Sequence, residues 1–346
     1  MGEITELFSR RNKKRTDYPM FSVTNVRGFV NQQEQFEDRE MKGEDIAAYK
    51  IVSPREFAYN PARINVGSIA RYDGETDCMI SSLYVCFKAK KELVDSQLLL
   101  HILKSPKMMY NYGINGEGGV RIYLFYPNFA RIRVKLPSLE EQRRIASFLD
   151  CIEERIQIQN KVIEKYKSLI KALAHEIIGK HAPNIMLSEC VHCASSTLKE
   201  SDLAEAGAVP AYGAAGISGF TYSALSDGDS ILITKDGSGV GSLRYVSGLH
   251  SFVGTLNSMT PKDGIYLPYI YYALQNVCFE TYRTGQAIPH IYFRDYGKEA
   301  IYCPAYDDQK RLAKRLELLD AKIGIERAVL RNLQSAKAFL LSGMFI

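Results

Sequence analysis

The sequence predicts an α+β protein. Two similar mixed α/β domains are separated by two long α-helices that pair as an antiparallel coiled coil, and the whole forms a pseudo-twofold internal repeat. Three observations carry this reading. The stretch Pro137-Ser-Leu-Glu-Glu-Gln-Arg-Arg-Ile-Ala-Ser-Phe-Leu returns 167 residues later as Pro304-Ala-Tyr-Asp-Asp-Gln-Lys-Arg-Leu-Ala-Lys-Arg-Leu. Each copy opens some 40 residues with apolar side chains at alternating three and four steps, the mark of a coiled-coil seam. The segment before each copy mixes short β-type runs with a short helical pattern. These features divide the chain into a first domain over 1–137, a first long helix over 138–180, a second domain over 181–304 and a second long helix over 305–346.

In the first domain, Met20-Phe-Ser-Val-Thr-Asn-Val and Tyr84-Val-Cys-Phe read as strands. Ser96–Lys104 reads as a helix stopped by Ser105-Pro106, and Gly113–Gly119 as a loop leading into Val120-Arg-Ile-Tyr. The first long helix starts with Ser138 as N-cap and Glu141 closing a capping box, and stops at Gly179. Its seam is 145, 149, 152, 156, 163, 166, 170, 173 and 177; the second helix continues the pattern at 312, 316, 319, 323, 330, 333, 340 and 344. Gln159 and Glu326 hold matching polar places in the two seams. Acids and bases balance along the first helix, so it reads as a solvated flank and not a DNA-gripping face. In the second domain Ser230–Thr234 reads as a strand and the stretch from Tyr266 as a helix. Val66-Gly-Ser-Ile-Ala-Arg-Tyr is echoed by Val240-Gly-Ser-Leu-Arg-Tyr, and Arg121-Ile-Tyr by His290-Ile-Tyr.

A chain of 346 residues with 24% charged and 46% hydrophobic residues reads as soluble and globular, with no signal peptide and no membrane span. Seven scattered cysteines fit reduced thiols in a cytoplasm. The net charge of +5 permits a nucleic-acid partner without demanding one. Motifs for catalysis are missing. Asn60-Pro-Ala-Arg63 is not a methyltransferase motif, Gly237-Ser-Gly-Val-Gly lacks the dinucleotide spacing, and Cys190-Val-His-Cys193 is a lone pair without further zinc ligands. Two related, non-identical domains on a rigid helical spacer suit two separated sites on a linear polymer, and DNA is the obvious one.

Candidate DNA-contacting residues follow from charge and donor chemistry. Arg10, Arg11, Lys13, Lys14 and Arg15 place five cations in six residues, suited to phosphates. Arg63, Arg71 and Arg121 in the first domain, and Lys235, Arg244, Arg283, Gln286 and His290 in the second, stand near glycine-rich turns. There Arg can pair with guanine and Gln with adenine.

The helix-start motif resembles that of the specificity (S) subunits of type I restriction–modification systems. It stands here as Leu136-Pro-Ser-Leu-Glu-Glu-Gln-Arg-Arg-Ile-Ala146 and, more degenerately, as Cys303-Pro-Ala-Tyr-Asp-Asp-Gln-Lys-Arg-Leu-Ala313. Gly285-Gln286 with His290 resembles that family's glycine-rich turn. Tyr18-Pro-Met-Phe-Ser-Val-Thr, Tyr49-Lys-Ile-Val and Phe57-Ala-Tyr-Asn-Pro-Ala-Arg63 look like a common variant of its first recognition domain. The resemblance implies two target-recognition domains and a non-catalytic reader of a bipartite, asymmetric duplex target. It implies two modification subunits as partners, and restriction subunits where cleavage occurs. S-adenosylmethionine, ATP and Mg would belong to those partners, with no cofactor held by this chain. Leu139, Glu141, Gln142 and Arg144, with Asp308, Gln309 and Arg311, are then expected as partner-binding surface. Other readings are the S-like subunit of a methylation-only or phase-variable system, or a scaffold joining two protein-binding modules. The target sequence is not legible.

Overall fold

The computed structural model describes residues 1–32, 46–119, 122–285 and 288–344. The chain divides into two compact units, Met1–Gln159 with Val329–Ile346, and Asn160–Ala328. The division passes through both long helices, so each unit holds one domain and a part of each helix.

Among the described residues the domain of the first unit has eight strands: β1 (Thr5–Phe8), β2 (Met20–Thr24), β3 (Gly28–Asn31), β4 (Lys50–Val52), β5 (Phe57–Tyr59), β6 (Ile69–Arg71), β7 (Cys78–Ile80) and β8 (Val85–Ala89). They form two sheets, ordered β1-β8-β5-β6 and β3-β2-β7-β4. Helices α1 (Ser96–Leu103), α2 (Pro106–Asn115) and α3 (Tyr126–Arg131) follow. Alternation along β5 places its residues on two cores. Phe57 and Tyr59 pack with Phe87, Leu98, Ile102, Tyr112 and Phe129 under the helices. Ala58 faces the other way, with Val23, Val52, Ala70 and Ile80 between the sheets. Burying each large aromatic or aliphatic side chain here contributes about 1.5–3 kcal/mol.

Helix α2 corrects the sequence reading. Ser105-Pro106 ends α1, but it also starts α2. The Ser105 hydroxyl accepts the amide of Met108, and Pro106 takes the first helical position, where its missing N–H costs nothing. Gly113 lies inside this helix and not in a loop.

The second unit repeats the plan. Its strands are β9 (Ile185–Met186), β10 (Val191–Ser195), β11 (Val209–Gly213), β12 (Gly216–Thr221), β13 (Ser230–Thr234), β14 (Leu243–Val246), β15 (Ser251–Phe252), β16 (Leu256–Pro261) and β17 (Ala300–Ile301). The sheet β10-β16-β13-β14 matches β1-β8-β5-β6 strand for strand. In the second sheet β11 lies antiparallel to β12 and parallel to β15, as β2 does to β3 and β7. The Val66 and Val240 echo is structural. Gly67 (φ 95°) and Gly241 (φ 83°) both take the left-handed conformation just before β6 and β14.

The first long helix, α4, spans Leu139–Ala174 and ends in a wider π turn over His175–Gly179. In the second unit, short helices α5 (Leu187–Cys190), α6 (Leu267–Ala273) and α7 (Phe293–Tyr296) precede the second long helix, α8 (Tyr306–Met344). In the first unit Glu153 pairs with Lys337, while Ala146 and Leu149 share a core with Leu340 and Leu341. In the second unit Tyr166 lies near Lys322. Residue numbers rise along α4 as they fall along α8, so the two helices are antiparallel.

The buried seam departs from the expected one at both ends of α4, and Tyr166 between them is only half-buried. Leu149, Ile152, Ile156, Ile163 and Ile170 are buried as read. Ala146, Ala174 and Ile178 are buried in place of 145, 173 and 177. A straight α-helix drifts against a seven-residue repeat, and the domains claim the drifted positions. On α8, Ala313, Leu316 and Ile323 are buried, and Glu326 is held 2.9 Å from Lys322 on its own helix.

Candidate nucleic-acid interface

Each long helix is locked to its own domain at the start. Gln142 is only 1% exposed. Its Oε1 accepts the Asp95 amide at 2.9 Å, and its Nε2 donates to the carbonyls of Leu93 (3.1 Å) and Pro137 (2.9 Å). Gln309, 2% exposed, does the same with Tyr266 (2.8 Å), Gly264 (3.3 Å) and Pro304 (2.9 Å). These two residues therefore hold the loop that leads into α1 or α6. Expected as partner surface, both are buried and saturated by their own domain. Glu141 closes the capping box with Ser138, whose hydrogen bonds hold its carboxyl below the usual range. Arg144 pairs with Glu140 and Arg311 with Asp308, each at 2.7 Å on the solvent side, and Leu139 is half-buried.

The loops of the second domain gather several predicted DNA-contacting residues. Thr284 and His290 exchange backbone hydrogen bonds at 2.9 Å, with Gly285 in the left-handed region (φ 83°). The next residue, Ile291, is fully buried, and its amide donates to the Lys235 carbonyl. Gly237 donates to Pro289, so the loop after β13 is stitched to the Thr284–His290 segment. Lys235, Arg283 and His290 thus belong to one patch. Lys235 is partly neutralised by Asp236 at 2.6 Å, and Arg283 by Glu280 at 3.2 Å. Gln286 lies outside the described residues.

The first domain has the same arrangement 167 residues earlier. Glu117 and Tyr123 exchange backbone hydrogen bonds at 2.8 Å, and Gly118 is left-handed (φ 112°). Leu124 is fully buried, and its amide donates to Pro61 in the turn that carries exposed Arg63. Tyr123 therefore corresponds to His290, and the match of Arg121-Ile-Tyr to His290-Ile-Tyr is shifted by two. Arg121 lies outside the described residues.

Arg71 does not join this patch. Its side chain is 4% exposed and bonded to Asp73 (2.6 Å) and Ser96 (3.2 Å), so it braces the sheet. Arg244 is half-buried over the Tyr212 ring. The Arg10–Arg15 run folds around buried Asn12, whose side chain bonds both backbone groups of Thr16. Arg10 is paired with Glu56 and lies over Phe8, and Arg11 forms a backbone bridge with Lys50. Arg15 is left-handed (φ 53°), and Lys13 and Lys14 are exposed. These contacts tie the run to the Tyr49–Glu56 side of the domain.

The sequence reading missed the ring pairs beside the two loops. Tyr123 and Phe125 are stacked at 6.2 Å, and His290 and Tyr292 meet edge-on at 5.1 Å. The repeat offset and a one-in, one-out alternation were the available signals. Among the described residues no three His, Cys, Asp or Glu side chains form a metal-holding group. Cys190 is buried and hydrogen-bonded to Cys303, while Cys193 lies 4.0 Å from the Tyr296 hydroxyl. No helix among the described residues is long and apolar enough to cross a membrane.

The family model described as the type I restriction modification DNA specificity domain matches residues 2–167 and again 189–335. The chain belongs to this family. It is 23% identical over 180 residues to a Methanocaldococcus jannaschii protein named as the MjaX specificity subunit of a type I restriction enzyme, covering 50% of this chain and 42% of that one. It is 26% identical over 234 residues to a type I specificity subunit of Mycoplasma pneumoniae, covering 60% and 61%. The matches thus span about half the length of these curated relatives. The S subunit of a type I system from M. genitalium shares the fold, with a TM-score of 0.59 at 18% identity over 100% of this chain and 94% of that one. So does a chain solved in work on complex assembly and conformational transition of the type I R-M system, with a TM-score of 0.57 at 16% identity over 99% and 95%.

Proposed function

We propose that this chain is the DNA-reading subunit of a type I system, recognising a bipartite, asymmetric duplex target. The observation that carries the reading is the doubled loop platform. The same pair of backbone hydrogen bonds joins Glu117 to Tyr123 and Thr284 to His290, each followed by a buried residue tied to a neighbouring loop, but the side chains differ. A shared scaffold with different side chains is what two unlike half-sites need. Arg63, Lys235, Arg283 and His290 stand on or beside these platforms and are the base-contact candidates. Lys13 and Lys14 suit phosphates by exposure and charge.

The chain would choose the sequence, and two modification subunits would methylate adenine there. Restriction subunits, where present, would cleave. S-adenosylmethionine, ATP and Mg then belong to those partners, and this chain carries out no chemistry itself. The exposed faces of the long helices supply a docking surface. Ile158 and Ile325 occupy equivalent places and are both more than half exposed, as are Phe148 and Leu318. In the first unit Phe148 shares its helix with Glu141 and Arg144, and in the second Leu318 and Ile325 share theirs with Asp308 and Arg311.

Equilibrium binding to duplexes selected from a random pool tests the reading. Affinity should fall steeply as salt rises, with a logarithmic slope of about −0.9 for each phosphate neutralised, and the selected duplexes should share two separated motifs. Binding that ignores duplex sequence, or no binding at all, would favour a protein scaffold instead.

A further inference from the structure

Two ring pairs, exposed at Tyr123, Phe125 and Tyr292 and half-buried at His290, stand at equivalent places in the two domains, and neither charge nor fold accounts for them. In the first, Tyr123 and Phe125 flank Leu124; in the second, His290 and Tyr292 flank Ile291. The central residue is fully buried in both cases, and its amide is tied to the neighbouring loop, at Pro61 or Lys235. Extended backbone sends alternate side chains to opposite sides. Anchoring the middle residue therefore fixes the two rings outward. Phe125 and Tyr292 also occupy the N-cap positions of α3 and α7 without a side-chain cap hydrogen bond, which repeats the alignment.

Exposure of such residues is costly. Phe125 is 49% and Tyr292 43% exposed, although a polar residue at either place would cap the helix better. The rings do not cover a core. The residue between each pair is bonded to a cation-bearing turn, Leu124 to Pro61 two residues before Arg63 and Ile291 to Lys235 itself, and Tyr292 carries the Arg294 guanidinium 4.8 Å above its face. Aromatic faces set among cations suit a surface that is flat and apolar in part and anionic at its edge. Duplex DNA offers this through its base edges, thymine methyls and deoxyriboses between phosphates.

We infer that Tyr123–Phe125 and His290–Tyr292 are equivalent apolar DNA contacts, one pair for each half of the target. This rests on the DNA-reading function proposed above and adds a residue-level division of labour. Lys13 and Lys14 supply phosphate attraction, while the rings add apolar preference at base pairs beside the base-contact cations.

The test uses the whole chain with Tyr123→Ala and Phe125→Ala together, and separately with Tyr292→Ala, on duplexes selected from a random pool by the wild-type chain. Each variant should bind roughly 5- to 100-fold more weakly, the scale of losing one base-pair contact. The salt slope should stay unchanged, and sequence preference should relax in one half of the target only, a different half for the two variants. Tyr123→Phe and Tyr292→Phe should bind like wild type, and unchanged circular dichroism and melting temperature exclude a folding effect. Wild-type affinity and preference in the alanine variants would overturn the inference, as would a reduced salt slope. A wild-type chain with no preference among duplexes would overturn the DNA-reading function itself, and this inference with it.

Discussion

Gln142 shows how one side chain in a surface-looking motif can serve the interior. Its amide gives two N–H groups to carbonyls and takes one amide proton, a set that glutamate cannot reproduce. Gln142→Glu would aim a carboxylate at two carbonyl oxygens, and Gln309→Glu would repeat the clash in the other domain. Each should cost about 3 kcal/mol of stability, as buried polar groups lose partners, read by urea unfolding. A loss below about 0.5 kcal/mol would show that the lock is dispensable. The motif was legible in the sequence because it occurs twice. Its role was not, since burial depends on the Leu93 and Gly264 loops meeting it from far along the chain.

His101 offers a second test at this scale. It is buried, and burial pushes its imidazole below the ordinary 6.5, against the opposing hydrogen bond to Asp150 at 2.7 Å. Lys104, Glu153 and Lys337 also act on this cluster. The unfolded chain protonates His101 near its ordinary value, before the folded chain does. Stability is therefore retained above about pH 6.5 and falls as pH drops below it. Unfolding at pH 7.5 and 5.5 should show a smaller acid loss in His101→Gln than in wild type. An equal loss would remove His101 from the cause.

Among the elements, the long helices were the clearest in the sequence, because apolar residues at three and four steps over many turns fit a long amphipathic helix and little else. Their equivalent seam residues Leu149 and Leu316 are both fully buried. Leu149→Ala and Leu316→Ala should each cost about 2–5 kcal/mol through lost burial and cavity formation, measured by denaturant unfolding. A cost under about 1 kcal/mol would contradict their place in the core. The drift from Leu173 to Ala174 was hidden, because it depends on where each domain meets the helix. Helix α2 was hidden for a different reason. Ser105-Pro106 carries a stop signal and a start signal at once, and only the packing of Met108 and Tyr112 decides between them.

Taken whole, the molecule repeats one plan with two sets of side chains. The repeat was legible from the helices outward, and the sheets of the two domains share strand order although few residues correspond. The candidate site was legible only in part. Arg63, Lys235, Arg283 and His290 came forward because they flank glycine turns, while Arg71 shared the same signal and is buried. The ring pairs stayed out of sight until the bridge at Glu117–Tyr123 was set against that at Thr284–His290. Charge alone does not mark a DNA-binding face, since a net +5 is modest and many of the cations are paired.

The measurement that meets the central claim most directly is methylome sequencing of a host with and without this gene, with its modification subunit expressed in both. Adenine methylation should vanish at one asymmetric motif made of two specified halves separated by a fixed spacer. An unchanged methylome, or loss at an undivided motif, would contradict the account of two recognition platforms in one chain.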